Sequence, residues 1–188
     1  KPYTENEKKL IEQHTHIAVN ALKLSNCVSD DILQLVSQHH ETEIGNGYPK
    51  QIKSDQLHRL HHYLQVADIF DERTRGFDDQ PGVLPANALK LIYKKSTEGY
   101  FPTVIAVELL RIMGIYPIGS IVKLTTGEVG IVREINRKLP LLPTVDLLLD
   151  ENNKIYEQIE QINLSNENET RLVMDVLDES ILPGNINI

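Results

Sequence analysis

The sequence has a single cysteine, no tryptophan and no excess of positive charge. Cys27 has no second cysteine to form an internal disulfide with, so a reducing compartment fits best and we expect a cytoplasmic protein. The net charge of −8 argues against binding to DNA or to an anionic membrane, because both call for a basic face. No apolar run is long enough to cross a bilayer.

The sequence also lacks an initiator methionine and shows no signal peptide, since Lys1 leads directly into a helical pattern. We therefore expect a fragment of a longer chain or a processed product. Its 188 residues are enough for one hydrophobic core and a small appended unit. All seven histidines lie between His14 and His62, so chemistry that depends on imidazole is confined to the first third of the chain.

The first part of the chain has the apolar spacing of helices. Thr4 and Glu7 have the form of a capping box, which predicts a helix from about Glu5. The spacing puts His16 on the solvent side of this helix. His14 lies on the apolar side, where it needs partners for both ring nitrogens, from a backbone carbonyl or from a metal. The residues predicted to form the buried face are Leu10, His14, Ile17 and Ala21.

Two further helices carry the other histidines. Ser29, with two acids after it, predicts the start of one helix, and its buried stripe runs from Ile32 through Val36 to His39 and His40. The next helix is predicted over residues 57–70, where Asp68 lies beside the apolar stripe and is costly to bury unless it is paired or binds a metal. Its predicted stripe is Leu57, Leu60, Leu64, Ala67 and Phe70. The residues on its flank, which form either a polar surface or a second metal site, are His58, His61 and His62.

The last third of the chain changes to an alternating pattern. Helices are predicted over residues 85–96 and 102–113, and strands over residues 118–124, 128–133 and 145–149. A fourth strand is expected over residues 155–164. We expect a small antiparallel sheet or half-barrel packed on the helical part, with no catalytic residues of its own. The final stretch is expected to be polar and weakly helical over residues 169–178.

One motif carries side chains that commonly bind metals in proteins. His39-His40-Glu41 leads into a turn that contains Gly45 and ends at Gly47-Tyr48-Pro49. Neutral imidazole is the commonest protein ligand for transition metals. Two adjacent histidines converge on one point only near a helix end, where the backbone turns, and glycines permit that turn. The residues themselves are compatible with a metal site or with a polar helix end stopped by glycine.

This motif, together with Val66-Ala67-Asp68-Ile69-Phe70-Asp71, resembles the signature of HD-GYP domains. These are bacterial, metal-dependent phosphodiesterases of the HD superfamily, which hydrolyse cyclic di-GMP in second-messenger signalling. The likeness covers roughly residues 1–165. It implies an HD-superfamily helical bundle in residues 1–115, a small β extension in residues 116–165 and a C-terminal tail in residues 166–188.

The resemblance also implies a set of site residues. Its metal ligands would be His14, His39, His40 and Asp68, holding divalent ions, most often iron or manganese. The nucleophile would be a hydroxide held by the metals, so no side chain is assigned a catalytic role. The substrate would be cyclic di-GMP or a related nucleotide. The GYP loop (Gly47-Tyr48-Pro49) would contact a second copy of the chain or a protein partner.

The sequence departs from the family pattern in three places. The family's HD dyad would lie upstream of residue 1, so we expect the chain as printed to be inactive. Ile44 stands where the family has an aspartate. The arginine-rich phosphate clamp is absent after Asp71, and Arg73 and Arg75 either replace it as phosphate donors or pair with surface acids. Three hypotheses follow: a metal-dependent phosphodiesterase, a degenerate module that binds a nucleotide or a protein without turnover, and a purely structural domain.

Overall fold

The computed structural model describes residues 3–77 and 80–183, and those residues contain six α-helices and seven β-strands. The helices are α1 (Glu5–Glu12), α2 (His14–Ser25), α3 (Asp30–Gln38), α4 (His61–Arg75), α5 (Pro85–Thr97) and α6 (Thr103–Met113). The strands are β1 (Gly76–Phe77), β2 (Gln80–Pro81), β3 (Ile121–Leu124), β4 (Val129–Glu134), β5 (Thr144–Leu149), β6 (Ile155–Asn163) and β7 (Val173–Leu177). Among the described residues, no helix is both long enough and apolar enough to span a membrane. The predicted class, mainly helical with a small antiparallel sheet, is confirmed.

The chain divides into two compact units. The first runs as far as Glu72 and resumes over Leu91–Ala106, so it holds α1 to α3 and most of α4. The second comprises Arg73–Lys90 and resumes at Val107, and it holds the sheet. All the histidines lie in the first unit, which therefore contains the candidate site.

The start of α1 is the one that the capping box predicts. The Glu7 N–H donates to the Thr4 hydroxyl at 3.3 Å, and the Thr4 N–H donates to the Glu7 carboxylate at 2.7 Å. Two helices replace the predicted single one, because the chain turns at Gln13 between α1 and α2. At this turn the Ile11 carbonyl lies 2.7 Å from a ring nitrogen of His14. The break thus puts the histidine at the first position of a helix.

The predicted buried face of α1 and α2 is wrong. Leu10 and Ile17 are 67% and 62% exposed, and Ala21 is exposed as well. The buried residue of α2 is Thr15, whose hydroxyl donates to the Glu12 carbonyl. Helical spacing identifies an apolar stripe, but it does not identify the neighbouring element, which for α2 is α3.

Helix α3 is the predicted one, and it ends at Gln38, just before the paired histidines. Two details differ from the prediction. Ser29 has N-cap backbone geometry, but its hydroxyl makes no capping hydrogen bond in the described structure. Ile32 is exposed, whereas the predicted stripe buried it. The end of the helix nevertheless provides the turn that two adjacent imidazoles need.

Helix α4 begins at His61, four residues later than predicted, and it buries a different face. Leu60 and Ala67 are exposed, and the buried residues of the helix are His61, Gln65 and Val66. The two buried polar side chains both bind one backbone carbonyl. Hydrogen bonds to this shared carbonyl allow the two polar side chains to lie on the buried face of the helix.

The sheet of the second unit has the strand order β6-β5-β4-β3-β7, with every neighbouring pair antiparallel. Gly127, at φ +100°, makes the tight turn between β3 and β4. The predicted fourth strand is confirmed as β6. Adjacent residues of β3, Ile121 and Val122, belong to different clusters of buried apolar side chains, as the period-two alternation requires.

The predicted helix over residues 169–178 is wrong. Residues 173–177 form β7, which pairs with β3 so that Ile121 faces Leu177 and Val122 faces Val176. Val176 packs on the core cluster that contains Val122. Hydrogen bonding to the open edge of β3 outweighs the weak helical pattern of these residues. The sheet therefore includes residues that the sequence pattern left in the C-terminal tail.

Candidate metal centre

Three imidazoles meet in the first unit, and we call them the histidine cluster: His14, His39 and His40. The Nε2 atom of His14 lies 3.1 Å from the Nε2 atom of His39 and 3.1 Å from that of His40. His14 opens α2, while the other two follow the last residue of α3. All three side chains are partly buried. Two packed helices thus bring their ends to one point.

In His14 and His39, a hydrogen bond at the nitrogen that points away from the cluster fixes which ring nitrogen carries the proton. The Nδ1 atom of His14 lies 2.7 Å from the Ile11 carbonyl, and the Nδ1 atom of His39 lies 2.6 Å from the Val36 carbonyl. Because a carbonyl only accepts, each Nδ1 carries the proton. The Nε2 atom of a neutral ring held in this way presents a lone pair, so two lone pairs face each other across 3.1 Å. This arrangement fits a divalent transition metal, because metal-binding histidines commonly donate their other N–H to a carbonyl.

The third ring, that of His40, is held neutral by its surroundings. Burial, and next the neighbouring His39 and His14, lower the pKa of His40 to about 3. A ligand imidazole must be unprotonated, so His40 is ready to bind a cation at neutral pH. The Tyr48 ring stacks on His40, with the centroids 4.5 Å apart and the planes at 27°. The GYP loop therefore covers one face of this imidazole.

Two carboxylates of α4 adjoin the cluster. The Oδ2 atom of Asp68 lies 3.8 Å from the Nε2 atom of His40. One helical turn later is Glu72, and donor atoms of His40, Asp68 and Glu72 all lie within 4.8 Å of one another. Donor atoms of the histidine cluster meet the same distance limit. Glu72 was not among the predicted site residues, although its i, i+4 spacing from Asp68 was an available signal.

Glu41, which follows the paired histidines, is fully buried and holds the loop after them. Its carboxylate accepts hydrogen bonds from the backbone N–H of Lys50 at 2.7 Å and of Ile52 at 3.2 Å. Its carbonyl accepts from the Nε2 atom of His61 at 3.0 Å and from the Nε2 atom of Gln65 at 2.6 Å. This residue therefore links the end of α3 both to the loop and to α4.

The two histidines of α4, His61 and His62, lie outside the histidine cluster. His61 is fully buried, and its Nδ1 atom has no hydrogen-bond partner among the described residues. Burial lowers the pKa of His61 to about 4. His62 lies 2.7 Å from a Glu43 carboxylate oxygen and 3.1 Å from the Gln65 amide oxygen. Among the described residues, neither they nor His58 belong to a group of donors with metal-binding spacing, so the second metal site is not found.

The GYP loop lies directly against the backbone of the cluster. The Tyr48 N–H donates to the His40 carbonyl at 3.2 Å. A Cβ atom at Gly47 would overlap that carbonyl oxygen and the backbone of Glu41, so this position needs glycine because of close approach. Ile44 is 52% exposed. The loop therefore has no room for a side chain at its closest point.

Arg73 and Arg75 lie in the last turn of α4, and both are exposed. They belong to the second unit, and neither is among the donors of the two groups described above. Their predicted role as phosphate donors stays a prediction.

A cavity of about 840 Å³ is lined by residues that neighbour the cluster in sequence. Gln13 and Thr15, which flank the first histidine, line it together with Gln38 and Pro49. Its charged lining comprises three lysines and two acids, which are Lys9, Lys23, Lys50, Glu12 and Asp30. The charged lining has one more lysine than acids, in a chain of negative net charge, so the cavity is a candidate site for an anionic ligand.

Comparison with known proteins assigns the class. A family model described as "HD domain" matches residues 1–104, and the chain belongs to this HD domain family. A second model, described as "KOW domain associated with HD domain", matches residues 121–182. The HD-type family that the motifs predicted is thus confirmed.

Particular relatives are similar over part of their length. The chain is 28% identical over 153 residues to the cyclic di-GMP phosphodiesterase PA4108 of Pseudomonas aeruginosa, a match that covers 81% of this chain and 36% of that protein. Among solved structures, Bd1817, an HDG"Y"P protein from Bdellovibrio bacteriovorus, matches with a TM-score of 0.48 at 20% identity, over 58% of this chain and 34% of that one. The chain spans about a third of each relative's length.

Proposed function

We propose that this chain is part of a metal-dependent phosphodiesterase that hydrolyses a cyclic dinucleotide, with cyclic di-GMP as the first candidate substrate. The convergence of the His14 and His39 Nε2 lone pairs, each fixed by a carbonyl bond at the opposite nitrogen, carries the proposal. The named activity of the Pseudomonas aeruginosa relative supports the choice of substrate.

In this proposal the histidine cluster holds a divalent ion through Nε2 atoms, and Asp68 adds a carboxylate oxygen. Iron and manganese suit a donor set that mixes imidazole with carboxylate. Such an ion supplies Lewis-acid chemistry, since it activates water and neutralises charge on a phosphate group. The backbone carbonyls of Ile11 and Val36 keep the ring nitrogens in the binding tautomer. Tyr48 shields one face of His40 from water.

Each unit has basic side chains that are candidate phosphate donors. Arg73 and Arg75 are exposed at the end of α4 and can make bidentate contacts with phosphate. Three lysines line the cavity described above. We also propose a cytoplasmic location, in keeping with the free Cys27.

The test is metal content together with hydrolysis. We expect the protein, purified without added metal, to contain iron or manganese on elemental analysis. His39→Ala should lower the metal content per chain, whereas His16→Ala, a change at an exposed histidine of α2, should not. Metal content that survives His39→Ala and His14→Ala unchanged would overturn the proposed centre. For the substrate, failure of a metal-loaded longer chain to open cyclic di-GMP would overturn the choice.

The cavity also favours a second candidate function, a module that binds a nucleotide without turnover. The lysines that line it need no metal to attract an anion. In that case cyclic di-GMP would bind equally well in excess chelator and in His39→Ala. Binding that needs both the metal and His39 would favour the phosphodiesterase instead.

A further inference from the structure

Glu72 lies on the same face of α4 as Asp68, one turn towards the C-terminus. Residues at i and i+4 of a helix are neighbours, with Cβ atoms about 5–6 Å apart. Donor atoms of Glu72, Asp68 and His40 all lie within 4.8 Å of one another. Glu72 is exposed, so an ion from solution can reach its carboxylate without any movement of the backbone.

This group of donors differs in chemistry from the histidine cluster. Three imidazole nitrogens suit zinc, nickel or iron, whereas two carboxylates with one imidazole make a harder set that suits manganese. The two groups share His40, whose Nε2 atom lies 3.1 Å from the His14 Nε2 and 3.8 Å from the Asp68 Oδ2. One lone pair serves one ion at a time. The shared imidazole therefore binds an ion together either with the other two imidazoles or with the two carboxylates.

Electrostatics favours a cation beside the two acids. Like charges at i and i+4 destabilise a helix, and a divalent ion between them turns that repulsion into attraction.

We propose that Glu72 is a metal ligand of this chain and that, with Asp68 and His40, it makes a carboxylate-rich position selective for Mn²⁺ over Zn²⁺. This inference rests on the proposed function, since it assumes that a divalent ion occupies the centre. It adds a ligand, and a preference for hard cations, to the four residues that the sequence predicted.

The experiment compares Mn²⁺ and Zn²⁺ binding by calorimetry in the full chain and in Glu72→Gln. We expect the variant to bind Mn²⁺ at least about tenfold more weakly, the smallest loss typical even for an outer-shell partner of a metal ligand. Its Zn²⁺ affinity should stay nearly unchanged, because the histidine cluster is intact. The matched control is Glu98→Gln, at another exposed glutamate of the first unit. Mn²⁺ electron paramagnetic resonance gives a second readout that is independent of enzymatic activity.

The outcomes separate this inference from the proposed function. Equal Mn²⁺ affinity in Glu72→Gln and Glu98→Gln, with Zn²⁺ binding still lost in His39→Ala, overturns the role of Glu72 alone. No binding of either metal by the unsubstituted chain overturns both proposals. Glu72→Asp, which keeps the charge on a shorter arm, should recover part of the Mn²⁺ affinity. If it binds Mn²⁺ no better than Glu72→Gln, a direct ligand role is wrong.

Discussion

The Nε2 atoms of His14 and His39 lie 3.1 Å apart, and the opposite nitrogen of each ring is held by the carbonyl three residues earlier in the chain. The same local geometry thus occurs twice, at the start of α2 and just after α3. Because folding has already oriented both rings, an ion loses little free energy to ordering them. The centre is organised by the backbone before any ion binds.

Metal should stabilise the folded chain. Ligand that binds only the native state, at about 100 times its dissociation constant, adds roughly 2.7 kcal/mol to the free energy of unfolding. We therefore expect added Mn²⁺ or Zn²⁺ to raise the melting temperature and a chelator to reverse the rise. His14→Ala should abolish the effect of Zn²⁺ and His16→Ala should keep it, as followed by circular dichroism. An equal rise in both variants would mean that the ions bind elsewhere.

Glu41→Gln should destabilise the chain strongly. The buried carboxylate accepts two backbone hydrogen bonds, and an amide can replace only one of its two acceptor oxygens. Leaving a buried donor unsatisfied costs about 1–3 kcal/mol. Urea unfolding, in chelator, measures the loss against Glu108→Gln, at a glutamate on the surface of α6. Equal midpoints for the two variants would show that the loop does not depend on this carboxylate.

Gly47→Ala should impair both stability and metal binding. Its Cβ would overlap the His40 carbonyl, so either the loop or the histidine must shift. Gly119→Ala is the useful comparison: nothing lies within 4 Å of a Cβ there, and only the left-handed φ of +88° opposes it, at about 1–2 kcal/mol. Titration calorimetry with Mn²⁺ should find weaker binding for Gly47→Ala alone. Unchanged affinity in that variant would contradict the close approach.

Stability should fall as pH drops from about 6.5 to about 4, measured in excess chelator. Burial holds the folded-state pKa of His61 at about 4, below the ordinary value of 6.5. The unfolded chain therefore binds more protons in this window, and each such group contributes a slope of up to about 1.4 kcal/mol per pH unit. His61→Gln, which can still donate to the Glu41 carbonyl, should reduce the slope. His40 titrates in both proteins, so an identical slope would show that His61 contributes nothing.

The parts of the fold that could be predicted have local causes. The capping box sets the start of α1, and proline and glycine bound α5 and α6. Alternating apolar residues identify β3 to β6, because the side-chain period of a strand is local too. The buried faces of α2 and α4 could not be predicted, since they depend on which neighbour each helix contacts.

The candidate site likewise has residues that could be predicted from the sequence and features that could not. The resemblance to the family motif predicts His14, His39, His40 and Asp68 as site residues. In the structure the three histidines lie together, and Asp68 lies beside His40. The burial of His61 has no local signal, because its partner is a carbonyl 20 positions away. The carbonyl bonds that fix the ring protons also depend on side-chain rotation, which residue spacing does not specify.

The place of β7 in the sheet has a consequence for synthesis on the ribosome. Strand β3 meets β4 after a short turn, but its other edge pairs with β7, which is made last of the five. Until Leu177 has left the exit tunnel, β3 presents an unpaired edge, which other chains can also pair with. The nascent chain is therefore prone to association through β3 until β7 is made, and from then on β7 is itself the edge strand on that side of the sheet.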